Sequence, residues 1–130
     1  MLTDLHHRPI KDLRISVTDR CNFRCSYCMP LDEYEGIDKK EILTFEENAR
    51  LARLFVELGV EKIRLTGGEP LVRQDLARLI EKLAALHALK DLCLTTNGAL
   101  LAERIEALAR AGLRPINLSI HTLCGEKCKR

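Results

Sequence analysis

Residues 62–70 read KIRLTGGEP. KIRLT (62–66) is a β-strand in pattern, and the GGEP turn (67–70) lies directly at its C-terminal end. Upstream, TFEENARLARLFVEL (44–58) has the pattern of a helix. Thr44 is a good N-cap, and Glu47 three residues on completes a capping box. Phe45, Ala49, Ala52 and Phe55, with Leu51, Leu54 and Leu58, give a broad apolar stripe at helical spacing, and Gly59 ends it at the C′ position. Before that helix, LRISV (13–17) alternates Leu13, Ile15 and Val17 with polar neighbours, as a strand does. Downstream, DLARLIEKLAALH (75–87) is a second helix with Leu76, Leu79, Ile80 and Leu83 inward. DLCLT (91–95) is a strand, LLAERIEALARA (100–111) a helix closed by Gly112, and PINLSI (115–120) a last strand. The order β-α-β-α-β-α-β predicts an α/β fold: parallel strands joined by right-handed helical crossovers.

In parallel α/β folds, sites collect beyond the C-terminal ends of the strands. The unusual residues of this chain sit there. CNFRCSYC (21–28) follows the first strand and GGEP the second; TNG (96–98) follows the third, and Ser119 and His121 end the fourth. Four successive strand ends thus converge on one rim.

The bulk numbers exclude several classes. At 130 residues, with 46% hydrophobic and 31% charged residues, the chain is an ordinary globular domain. Aromatics make up 4% and Trp is absent, which argues against a stacking surface for single-stranded nucleic acid. The net charge of +2 is scattered, so no polyanionic partner is indicated, though a phosphorylated small molecule is compatible. The polar start MLTDLHHRPIKDLR is neither a signal peptide nor a membrane span, and no window approaches the ~18 apolar residues that a spanning helix needs. A cytoplasmic location is expected.

In a reducing compartment, clustered thiols are metal ligands or catalytic groups more often than disulfide partners. Cys21, Cys25 and Cys28 lie within a single loop, and no fourth thiol or close His completes them. Two readings are open. A cubane iron–sulfur cluster held by three cysteines leaves one iron free for a small molecule; a structural zinc would need a distant Cys or His to close its tetrahedron.

C-x3-C-x2-C after the first strand, Tyr27 just before the last cysteine and GGEP after the second strand resemble the radical S-adenosylmethionine enzymes. The longer set DLRISVTDRCNFRCSYCMP, LTFEE, KIRLTGGEPLVRQDL, LTTNG and AGLRPINLSIHTL resembles the N-terminal part of the GTP 3′,8-cyclases of molybdenum cofactor biosynthesis, from about residue 8 to residue 123. The resemblance implies a partial TIM-type (βα) barrel and a [4Fe–4S] cluster on Cys21, Cys25 and Cys28. It implies S-adenosylmethionine bound at the fourth iron against Tyr27, Gly68, Glu69 and Ser119, and GTP contacted by Arg14, Arg64 and Thr95. In such enzymes reductive cleavage of S-adenosylmethionine yields a radical that abstracts the 3′ hydrogen of GTP, and the ribose radical attacks C8 of guanine. It implies a 13–123 core between an extension (1–12) and a divergent tail (124–130), and an electron donor it does not identify.

Each site residue also has a plainer reading. GGEP is a tight turn, Arg14 and Arg64 are solvated strand residues, Tyr27 packs, and TTNG (95–98) is a strand-to-helix turn. Cys93 is an inert thiol in an apolar strand, and His6, His7 and His87 are surface or packing residues. The family pattern breaks at His121, where Asp is usual, and Cys124 and Cys128 lack the spacing of the family's second cluster. The chain is also shorter than the family, which predicts cluster and S-adenosylmethionine binding without complete turnover, and open sheet edges that favour a homodimer.

Overall fold

The computed structural model of the chain describes residues 1–25, 27–28 and 35–120. Strands β1 (Asp12–Ser16), β2 (Lys62–Thr66), β3 (Asp91–Thr96) and β4 (Ile116–Leu118) alternate with helices α1 (Phe45–Glu57), α2 (Leu76–Ala84) and α3 (Leu101–Arg110). The strands form one parallel sheet in the order β1-β2-β3-β4. A sheet that adds strands in sequence order is the beginning of a (βα) barrel; a doubly wound sheet would reverse its order at a switch point. The expected α/β, partial TIM-type architecture is therefore the observed one.

The elements end where local chemistry ends them. At α1 the Thr44 hydroxyl accepts from the Glu47 N–H at 3.2 Å, and the Glu47 carboxylate accepts from the Thr44 N–H at 2.7 Å. That is the capping box read from the sequence, and it holds the Glu47 carboxyl below its ordinary pKa, chiefly through the Thr44 backbone bond. Helices α1 and α3 both finish with paired reverse bonds around a glycine in the left-handed region, Gly59 and Gly112. Helix α2 stops at Ala84, short of the expected residue 87, because Leu86 and Leu89 turn back onto the core. The last strand is also shorter than 115–120.

One expectation needs correcting. The apolar stripe of α1 is narrower than its leucines suggested: Asn48, Ala52 and Val56 are buried, whereas Leu51, Leu54 and Leu58 are 43, 48 and 45% exposed. A helix resting on a sheet buries one face, and this helix carries more apolar residues than one face holds. Asn48 is accommodated because its amide donates to the carbonyls of Leu43 and Thr44 at 3.2 and 2.9 Å.

Strand register divides the sheet cleanly, since successive side chains point to opposite faces. Ile15, Leu65, Leu94 and Ile116 are aligned across the four strands on the helix side. They join Ile63, Leu71, Leu76, Leu79, Ile80 and Leu83 in the core. On the other face Arg14, Arg64 and Cys93 form one row, and Thr95 lies beside Asn117 in the next. No described helix covers that face, and none of the described helices is long and apolar enough to cross a membrane.

Candidate active site

The C-terminal rim is assembled by backbone before any side chain contributes. After β1 the chain runs alongside the end of β2: Val17 N–H donates to the Thr66 carbonyl, Gly68 N–H to Thr18 and Glu69 N–H to Arg20, at 2.9, 2.8 and 2.8 Å. This closeness explains the glycine pair. A Cβ on Gly67 would lie 2.4 Å from the Thr18 carbonyl oxygen, and one on Gly68 would lie 2.3 Å from that of Arg20. The close approach that the glycines permit is to the chain's own backbone.

Glu69 is 2% exposed, and its carboxylate accepts three hydrogen bonds from the neighbouring segments. One oxygen accepts from the Leu71 N–H at 3.2 Å and the Thr96 hydroxyl at 2.5 Å; the other accepts from the Asn97 N–H at 2.8 Å. A buried carboxylate is tolerable only with such partners. Glu69 therefore joins the end of β2 to the end of β3, in addition to whatever it offers a ligand.

From β3 the network continues to the cysteine loop. The Asn97 side chain donates to the Asn22 side-chain oxygen at 2.9 Å and accepts from the Ala99 N–H at 3.0 Å. Within the loop, Cys28 N–H donates to the Cys25 carbonyl at 3.0 Å, Phe23 N–H lies 3.4 Å from the Cys21 sulfur, and the Arg24 guanidinium donates to the carbonyls of Cys21 and Phe23. Cys21, Cys25 and Cys28 are free thiols, the first two partly exposed and Cys28 exposed. Tyr27 stands by two of them: its phenol is pushed above its ordinary pKa, first by partial desolvation, then by a hydrogen bond with Cys25 and the nearby thiols of Cys25 and Cys28.

Among the described residues no three Cys, His, Asp or Glu side chains converge on a single ion. Three thiolates can hold an iron–sulfur cluster, each on a different iron, whereas a structural zinc would call for a fourth ligand. Three soft donors on one exposed rim loop suit a cluster. Cys93 is buried as expected, although it lies on the polar face, bonded to Arg64, and not in the apolar core. His121, Cys124 and Cys128 lie outside the described residues.

Below the rim, Arg14 and Arg64 are register partners on the uncovered face, with Thr95 one row nearer the cysteines. Like charges directly opposite on adjacent strands repel, so such a pair marks a place where an anion is welcome. Arg64 is held above its ordinary pKa first by its hydrogen bond with Cys93, then by the nearby carboxylates of Asp12 and Asp91. Ser119 is exposed at the end of β4, where its N–H donates to the Thr96 carbonyl at 2.9 Å.

Two contributors escaped the sequence reading. Arg73 donates to the carbonyls of Val17 and Leu43, both at 2.8 Å, lies 4.2 Å above the Phe45 ring, and is pushed below its ordinary pKa by burial. It ties the exit of β1 to the entry of α1 beside a cavity of about 570 Å³. The Asn22–Asn97 bond is the other. Both asparagines sit inside quoted motifs, but only folding reveals that they meet.

The sequence matches the family described as the Radical SAM superfamily over residues 15–130. It is 52% identical over 128 residues to GTP 3′,8-cyclase of Aquifex aeolicus, covering 98% of this chain and 40% of that protein. It is 55% identical over 120 residues to GTP 3′,8-cyclase of Staphylococcus aureus (strain JH9), covering 89% of this chain and 35% of that protein. The chain thus spans about 40% or less of the length of these relatives. In fold it is similar to the crystal structure of BtrN in an open conformation, with a TM-score of 0.65 at 19% identity over 92% of this chain and 54% of the other. A cysteine loop and glycine turn at adjoining strand ends of a sequentially wound parallel sheet thus agree with the sequence match: the chain belongs to the radical SAM superfamily.

Proposed function

We propose that this chain forms the part of a cytoplasmic GTP 3′,8-cyclase that holds a [4Fe–4S] cluster and S-adenosylmethionine and grips one end of GTP. The reading is carried by one observation: Arg14, Arg64 and Thr95 share the uncovered sheet face that leads up to the cysteine loop. The names of the relatives point the same way. Cys21, Cys25 and Cys28 would hold the cluster, with Tyr27, Gly68, Glu69 and Ser119 around S-adenosylmethionine. Bound there, the two together supply a carbon-centred radical able to take a hydrogen atom from substrate.

The chain's own residues do the rest. Arg14 and Arg64 present forked donors that suit phosphate or purine acceptors. Thr95 offers a hydroxyl one row closer to the rim. The Glu69 carboxylate ties the loops after β2 and β3 together. The second reading is a radical SAM half-site that binds both cofactors without completing turnover.

Anaerobic reconstitution with iron and sulfide, followed by electron paramagnetic resonance of the reduced chain, tests the proposal. A [4Fe–4S] signal that shifts with S-adenosylmethionine, together with GTP binding weakened at least tenfold by Arg64→Ala, is expected. Zinc in place of iron, or a chain that takes up no cluster, overturns it. Formation of the cyclised nucleotide separates the full enzyme from the half-site.

A further inference from the structure

We infer that Asn97 and Asn22 form a bridge that positions the cysteine loop, so that Asn97 is a positioning residue for the cluster although it binds neither iron nor S-adenosylmethionine. The inference rests on the functional reading above and adds to it the means by which the loop is held. Three hydrogen bonds hold Asn97. Its backbone N–H donates to Glu69 at 2.8 Å, its side-chain oxygen accepts from Ala99 at 3.0 Å, and its side-chain nitrogen donates to Asn22 at 2.9 Å. The Ala99 bond fixes its rotamer, and the Glu69 bond ties its backbone to a buried carboxylate that also anchors Thr96 and Leu71. Asn97 is therefore rigid before it reaches for the loop.

On the far side, Asn22 adjoins Cys21 in sequence, and its side-chain oxygen lies 4.0 Å from the Cys21 sulfur. The bonds of Arg24 to Cys21 and Phe23, and of Cys28 to Cys25, join residues within three positions of one another and shape the loop without placing it. The Asn22–Asn97 bond spans 75 positions and, beside the Glu69 N–H bond to the Arg20 carbonyl, ties the loop to the sheet, running from the end of β3 to the residue after the first thiol. Residues that orient metal ligands from behind change metal affinity by roughly 10–100-fold when removed. The cluster should therefore be held less firmly when this bridge is cut, with little change in the fold.

The test uses the full chain, reconstituted as above, with Asn22→Ala, Asn97→Ala, the double variant and Asn97→Asp. An aspartate at 97 still accepts from Ala99, and the Asn22 amide can turn to donate to it, so that variant keeps the bridge. The readouts are the half-life of the cluster against an iron chelator, the spectral shift on adding S-adenosylmethionine, and the melting temperature of the cluster-free chain. Each alanine variant should shorten the half-life about tenfold. The double should be no worse than either single, and Asn97→Asp should stay near the parent. The inference is overturned if the alanine variants keep the parent's half-life and shift, or if their losses simply add. A cluster-free Asn97→Ala that melts well below the parent overturns it as well, because the role would then be structural. A parent that takes up no cluster instead sinks the functional reading itself.

Discussion

The two faces of the sheet are built from the same strands and obey different rules. On the helix side, Ile63, Leu65 and Leu94 are fully buried and touch other apolar side chains. One residue away on each strand, Arg64, Thr66 and Thr95 are only half-buried on a face that no described helix covers. The helix face is stabilised by area removed from water, the other by hydrogen bonds and compensated charge. Strand alternation therefore separates stability from ligand contact at single-residue resolution, and substitutions at neighbouring positions should fail in different ways.

The largest effect should come from the helix face. Leu94→Ala should lower unfolding free energy by about 2–5 kcal/mol, since it opens a cavity among packed neighbours. Thr95→Ala, next to it, should cost less than about 1 kcal/mol while weakening nucleotide binding. Urea unfolding of both variants checks this, and similar losses at the two positions would break the comparison. A smaller effect is expected at the rim, where Glu69→Gln turns an amide N–H toward one of three donors. That should cost about 1–3 kcal/mol and lower hydrogen-exchange protection at Leu71 and Asn97. Smaller again, Thr44→Ala removes the α1 cap for about 1 kcal/mol, with no change in nucleotide or cluster binding.

The helix face was legible in the sequence and the rim only in part, for a physical reason. Periodicity reports which side of an element is apolar, so the strands, the Thr44 cap and the terminal glycines could be read directly. It reports nothing about contacts between residues distant in sequence. GGEP announced a tight turn, but not that Gly68 must clear the Arg20 carbonyl. Glu69 was noted as a residue near a ligand, while its ties to Thr96 and Asn97 cross 27 and 28 positions. Leucine 51, 54 and 58 misled for the converse reason: helical spacing says which residues are neighbours, not how much partner surface awaits them.

The smallest expected change in stability sharpens the comparison most. Arg14 is exposed and faces Arg64 directly across β1 and β2. Arg64 has Asp12 and Asp91 to offset its charge and a hydrogen bond with Cys93. Opposed like charges destabilise a strand pair by roughly 0.2–1 kcal/mol, so Arg14→Ala should leave the free chain unchanged or slightly more stable. The same substitution should weaken binding of a nucleoside triphosphate, because a forked cationic donor to its phosphates is lost. Urea midpoints measured with and without GTP separate the two effects. In the parent, ligand should raise the midpoint; in Arg14→Ala that rise should shrink while the ligand-free midpoint holds or climbs. A ligand-free midpoint that falls would mean Arg14 supports the sheet like any packed residue, and the polar face would lose its claim to be kept for a ligand.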